Sequence, residues 1–148
     1  MPTPCEVVYL SKDGKVEILP YLDLSRVTEV WGAKCGNTLF KKSHDQPNTW
    51  KGITDVYKMV RVKGHMLALP ALANLQILYS DRADFNQTMD IFRRNGVFAE
   101  NLKAAWYWSA DLQQEHSAYM VNLESGYESV FVNFSTMGSI RPTLVVAK

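Results

Sequence analysis

The sequence has little cysteine: Cys5 and Cys35 are the only two in 148 residues. That is too few for a disulfide framework, and their separation matches no zinc-ligand spacing. Two isolated buried thiols and a single bridge near the N-terminus both stay open, because a bridge depends on geometry that sequence does not give. The chain also lacks an excess of either charge. Lys and Arg number 16 against 15 Asp and Glu, a net charge of +1. The basic residues are scattered, so the electrostatic footprint of a nucleic-acid binder is missing and no nucleic-acid partner is expected. No apolar run approaches the ~18 residues of a membrane span. The opening MPTPCEVVYLSKDGK has neither the basic nor the apolar segment of a signal peptide. The expectation is a protein made in the cytoplasm without a signal peptide and without membrane insertion. Catalytic signatures are missing as well: there is no Gly-x-Ser-x-Gly, no His-Glu-x-x-His and no phosphate-cradling glycine loop. His44, His65 and His116 are far apart and read as surface or turn histidines, and Glu115 beside His116 reads as a solvated pair. Neither an enzyme nor a cofactor is expected.

What is present is enough hydrophobic material, 47% of the residues, for one core and one domain spanning 1–148. CEVVYL and KVEILPYL flank Asp13-Gly14, a hairpin-type turn dipeptide, which predicts an N-terminal hairpin over 5–22. SRVTEVW, residues 25–31, reads as a strand through its β-branched residues. Residues 32–63, rich in Gly, Asn, Lys and Ser and broken by Pro47, read as loop-dominated. Helices are predicted within 70–95. Pro70 suits a first turn ahead of Leu72, Leu75, Leu78 and Tyr79. Asp84 with Gln87 resembles a capping box ahead of the Phe85, Met89, Phe92 stripe, and Asn95-Gly96 is a stop. Beyond Gly96 the period becomes two. WYWSA, AYMVNLE and SVFVNF alternate, and IRPTLVVAK closes a set of late strands over 104–146. The order is α+β: two short helices packed on antiparallel strands.

That order, with Gly64, Leu69-Pro70, the helix through Leu72 and Leu75, Tyr107-Trp108-Ser109, VNLESGY, VNF and Ile140-Arg141-Pro142, resembles the bacterial and phage branch of the C-type-lectin-like fold. The resemblance covers about residues 64–145. His65 and Met66, Ala71 and Asn74 depart from the branch's usual Trp-Arg, Ser or Thr, and Glu. The resemblance implies N- and C-terminal strands lying close together. It also implies a binding module on a phage virion or another bacterial surface assembly, with a host-surface protein or glycan as partner and homo-oligomerisation expected. A decoration or tail-associated virion protein that meets only neighbouring virion subunits is the alternative. Calcium sites of lectins in this fold use Glu-Pro-Asn or Gln-Pro-Asp with Trp-Asn-Asp. Only Gln46-Pro47-Asn48 is superficially similar, and it precedes the helices, so no metal site is expected. Formylglycine-generating relatives would need a late cysteine pair, and no cysteine follows Cys35.

Alternation puts Trp106 and Trp108 on one strand face and Tyr107 on the other, and the resemblance implies that Trp108 is the buried member, with Leu72, Leu75, Phe92, Val121 and Val132 as neighbours. The opposite faces of the late strands mix rigid aromatics with amides and carboxylates, a composition suited to recognition. Tyr107, Asn122, Glu124, Tyr127, Glu128 and Asn133 are therefore the candidate ligand-binding residues.

Overall fold

A computed structural model describes residues 1–114 and 116–148, leaving aside the side chains of Gln114 and residues 130–132. The chain opens with β1 (Pro2–Leu10), which returns as β2 (Val16–Tyr21) in antiparallel register, Leu10 facing Val16 and Val7 facing Leu19. Gly14 makes this turn in the left-handed region at φ +89°, and a Cβ there would sit 2.6 Å from the Lys63 carbonyl oxygen. Glycine thus serves both the turn and the close approach of a later one.

The strand expected over 25–31 is instead a 3-10 helix, Leu24–Glu29, and β3 (Val30–Cys35) begins only at Val30. The Asp23 side chain caps this helix by accepting from Ser25 N at 3.0 Å, and Arg26 pairs with both Glu17 and Glu29. These local bonds override the β propensity of Val27 and Thr28. The loop-dominated expectation for 32–63 is likewise corrected. That stretch holds most of β3, β4 (Thr38–Lys41), β5 (Asp45–Asn48), α1 (Trp50–Met59) and β6 (Arg61–Val62). Thr49 Oγ1 caps α1 by accepting from Gly52 N at 3.0 Å, and Ile53 and Tyr57 bury its inner face.

After β7 (His65–Ala68) come α2 (Leu72–Ser80) and α3 (Arg82–Arg94), divided only by Asp81. Pro70 precedes the cap position rather than entering the first turn. Ala71 has no side chain to cap with, and Leu72 N donates instead to Asp111 Oδ2 at 2.5 Å, from a strand far along the chain. Asp84 and Gln87 lie inside α3 and form no capping box. The Asn95-Gly96 stop is observed, with Gly96 at φ +85° and Val97 N bonded to the Phe92 carbonyl at 2.9 Å. The late strands are β8 (Trp106–Gln114), β9 (Ser117–Asn122), β10 (Glu128–Asn133), β11 (Gly138–Ile140) and β12 (Thr143–Val145).

The fold is α+β, with two mainly antiparallel sheets and a few short helices. One sheet is seven-stranded in the order β2-β1-β3-β4-β12-β7-β6; the other is five-stranded, β10-β9-β8-β11-β5. β11 and β8 pair in parallel through Ser139 and Tyr107. The first and last strands share a sheet, but β3 and β4 stand between them, so the expected closeness of the termini is not a direct pairing. Among the described residues, no helix is long and apolar enough to cross a membrane.

The core has two parts, and β8 and β9 separate them. Tyr107, Val121 and Leu123 join Cys5, Tyr9, Phe40, Leu75, Phe85 and Phe92 on one side. Trp108, Ala118 and Met120 join Val8, Trp31, Ile53, Leu67, Ile140 and Leu144 on the other. Trp108 is buried as expected, but Leu75, Phe92 and Val121 lie in the opposite half of the core, with Leu72 packed against that half. Val132 falls among the side chains not described.

Candidate ligand-binding face

The candidate residues do not converge. Tyr107, expected on a wetted face, is fully buried, because α2 and α3 cover its side of the sheet. Its hydroxyl is hydrogen-bonded with His44 Nε2 at 2.5 Å and accepts from Lys103 N at 2.8 Å. Asn122 and Asn133 are turn formers. Asn122 Oδ1 accepts from Glu124 N at 2.8 Å and Ser125 N at 3.1 Å, and Asn133 Oδ1 accepts from the Ser135 amide and hydroxyl, both at 2.9 Å. Glu128 is exposed and accepts from Gln76 Nε2 at 3.0 Å, which fastens the β9–β10 turn to α2. Tyr127, 72% exposed, and Glu124 lie free at that same turn. Glu128 stands opposite Val121 and Asn133 opposite Ser117. At roughly 3.3 Å per residue, the length of β10 therefore parts Asn133 from the other surface candidates by roughly 17 Å.

The Asn133 end has the more structured surface. Phe134 stacks on Trp50 with ring centroids 4.6 Å apart and planes 14° from parallel, and His116 meets Phe134 edge-on at 6.3 Å. Trp50 is held by its position next to the Thr49 cap and by Nε1 donating to the Ser109 carbonyl at 2.9 Å. An open cleft of about 570 Å³ runs over this corner, lined by Thr49, Lys51, His116, Asn133, Phe134 and Ser135. Behind it, Trp50, Tyr57, Met66, Leu69 and Ala110 line a smaller apolar recess of about 200 Å³. The cleft is apolar over most of its lining and brings hydroxyl, amide, imidazole and ammonium groups, the last paired with Asp55 at 3.2 Å, around one aromatic face; its described lining contains no carboxylate. Sequence reasoning found only Asn133 here. The Trp50, Ile53, Tyr57 stripe behind Thr49 was a usable helix signal, but nothing local pairs Trp50 with Phe134.

A cluster of groups with strongly perturbed chemistry lies inside. Arg141, between β11 and β12, is fully buried. Its guanidinium donates to the carbonyls of Lys41 and Glu100, both at 2.8 Å, and to Met89 Sδ at 3.5 Å, and it lies 5.0 Å from the Phe85 ring centroid. Nη1 lies 3.3 and 3.4 Å from the two ring nitrogens of His44, so it faces the ring rather than one lone pair. Burial, reinforced by the charges of Arg141 and Lys103, pushes His44 down to about 3. Burial also raises Tyr107 to about 12 and lowers Arg141 to about 10, still a cation at neutral pH. His44 is therefore neutral at pH 7. His65 is buried too, with Nδ1 accepting from Ala147 N at 2.9 Å and Nε2 2.6 Å from the Gly14 carbonyl oxygen. Both histidines thus depart from the expected surface role, because each has backbone or side-chain partners waiting in the fold.

Chemically, the Arg141–His44–Tyr107 cluster is a joint between the two sheets. Its donors and acceptors are spent on one another and on backbone carbonyls. Gln46-Pro47-Asn48 forms the edge strand β5, where Asn48 Oδ1 accepts from Thr49 N at 2.8 Å and its carbonyl accepts from Trp108 Nε1 at 3.0 Å. Among the described residues, no group of three or more His, Cys, Asp and Glu side chains is placed to hold a metal ion. No protein-family model matches the chain, and no curated protein matches it.

Proposed function

We propose that this chain is a non-enzymatic recognition module of C-type-lectin-like kind that binds a glycan of a host surface without calcium, as part of a phage virion or bacterial surface assembly. The observation that supports this best is the cleft at the Asn133 end. An aromatic face braced from behind by a second ring receives the apolar side of a sugar, and hydroxyl, amide and ammonium groups at the rim answer its hydroxyls. The absence of carboxylates from the described lining suits a calcium-independent mode, since calcium requires several carboxylate or carbonyl oxygens at close range. The phage or bacterial setting, and homo-oligomerisation, rest on the sequence resemblance.

The experiment is a glycan-array and host-cell binding assay with and without EDTA, comparing wild type with Phe134→Ala, Lys51→Ala and Tyr127→Ala. Binding is expected to resist EDTA, to weaken about fivefold to tenfold in Phe134→Ala as about 1 kcal/mol of ring contact is lost, and to be unchanged in Tyr127→Ala. Binding abolished by EDTA, or unchanged in a folded Phe134→Ala protein, refutes the assignment. A second reading, a decoration or tail-associated protein with only virion subunits as partners, is favoured by β10. This strand ends the five-stranded sheet and, among the described residues, has no strand partner on one side of its backbone. Self-association of the purified chain with no glycan or cell binding would support that reading.

A further inference from the structure

Cys5 and Cys35 play no part in the cleft, yet the fold brings them together. The pairs Glu6 with Lys34, Val7 with Ala33 and Val8 with Gly32 set the β1–β3 register, and one step beyond Glu6 that register places Cys5 opposite Cys35. Opposed residues project from the same sheet face, and both cysteines are buried as free thiols in the same half of the core. Opposed Cα atoms in an antiparallel pair lie about 4.5–5.5 Å apart, within the roughly 4.4–6.8 Å that a disulfide spans. The two thiols are also unequal. A hydrogen bond from the Cys35 thiol holds Cys5 below the usual thiol range, whereas the same contact and burial push Cys35 up. Asp81 Oδ2 lies 3.8 Å from Cys35 Sγ, a second acceptor to which the single Cys35 proton can turn when it leaves Cys5.

Access comes from the start of β1. The β1–β2 register shifts between Pro2 and Val7, and Cys5 N donates to Thr88 Oγ1 at 3.0 Å instead of to a neighbouring strand. This stretch has fewer ladder bonds than the rest of the strand, the feature that lowers the free energy of local opening.

We infer that Cys5 and Cys35 form a dithiol modification site, which a small disulfide oxidant such as glutathione disulfide converts into a cross-strand disulfide pinning β1 to β3. The Cys5 thiolate attacks one sulfur of glutathione disulfide, forming a mixed disulfide and expelling one glutathione thiolate. Cys35, after losing its proton, attacks Cys5 Sγ and expels the second glutathione. The protein dithiol is oxidised by two electrons, glutathione disulfide is reduced to two glutathiones, and the two thiol protons end on them.

The test equilibrates the full chain in glutathione buffers of increasing oxidised fraction, then unfolds it, alkylates remaining thiols and measures intact mass. Both thiols should vanish together in a two-electron titration, giving a monomer two hydrogens lighter than the reduced chain. The melting temperature should rise by roughly 5–15 °C through closure of the loop between the cysteines. Cys35→Ser should stop at a Cys5–glutathione mixed disulfide, and Cys5→Ser should remain unmodified while folded. Thiols that persist in fully oxidised buffer, a stable mixed disulfide in wild type, or an intermolecular dimer would each overturn the inference. The wild-type mass decides the matter even where a serine variant does not fold.

Discussion

Acid should unfold this protein through His44 well before its carboxylates are protonated, and His44→Gln should remove much of that sensitivity. The His44 side chain is only 5% exposed, faces the Arg141 guanidinium and is pushed down to about 3, from an ordinary value of 6.5. The Glu100 carboxylate, 3.9 Å from Nδ1 and itself 39% exposed, is too distant and too well solvated to offset burial and Arg141. Between those two pKa values the unfolded chain binds a proton that the folded chain refuses. Stability contributed by neutral His44 is therefore complete above pH 6.5 and is lost as pH falls. The limiting slope is about 1.4 kcal/mol per pH unit, and the loss between pH 7 and pH 5 is about 2 kcal/mol. Gln offers an amide oxygen to the Tyr107 hydroxyl and does not titrate. Urea unfolding at pH 7, 6 and 5 should show wild type losing about 2 kcal/mol more than His44→Gln over that interval. Parallel pH dependences of the two proteins, or a His44 NMR titration near 6.5 in the folded state, would refute this account of the joint.

Other perturbations follow from the same geometry. Arg141→Met removes the donors to the Lys41 and Glu100 carbonyls and leaves two buried acceptors unpaired, for about 3 kcal/mol or more in urea unfolding. Arg141→Lys should not restore it, because a single ammonium cannot meet both carbonyls and the His44 ring. Gly138→Ala would place a Cβ 2.6 Å from Trp108 Nε1, so a loss of about 1–3 kcal/mol and a shifted tryptophan emission are expected; wild-type stability in that variant would contradict the packing around Trp108. Asp111→Ala removes the side-chain acceptor of Leu72 N at the start of α2, a loss of about 1 kcal/mol that hydrogen exchange should localise to Leu72–Leu75.

The local features of the fold were legible where a residue's own chemistry dictates them. Asp13-Gly14 marks the hairpin, Asn95-Gly96 ends α3, and Phe85, Met89 and Phe92 form its buried stripe. Helix α1 was legible in principle, with Thr49 as cap and Trp50, Ile53 and Tyr57 at helical spacing, but the polar surroundings and Pro47 obscured it. Period-two alternation assigns residues to opposite faces and says nothing about whether both faces are covered. That is why Tyr107 was expected at the surface although His44, 63 residues away in sequence, meets its hydroxyl in the interior. The candidate site suffered from the same limit. Asn122 and Asn133, each followed closely by Ser, carry a turn signature that explains them without a ligand. The Trp50–Phe134 stack joins two elements that only the tertiary fold brings together.

The burial on both faces of Tyr107–Ser109 in β8 and of the middle of β9 divides the molecule into parts with different freedom to vary. Tyr107, Trp108, Ala118, Met120 and Val121 each fill one half of the core or the other, so few substitutions there leave the packing intact. The corner beyond Asn133 has no such obligation: Lys51 and Thr136 are exposed, and Ser135 is anchored to Asn133 rather than to the core. A combinatorial library at positions 51 and 135 would change the rim of the cleft while leaving the interior untouched, which makes this corner the part of the fold most open to redesign.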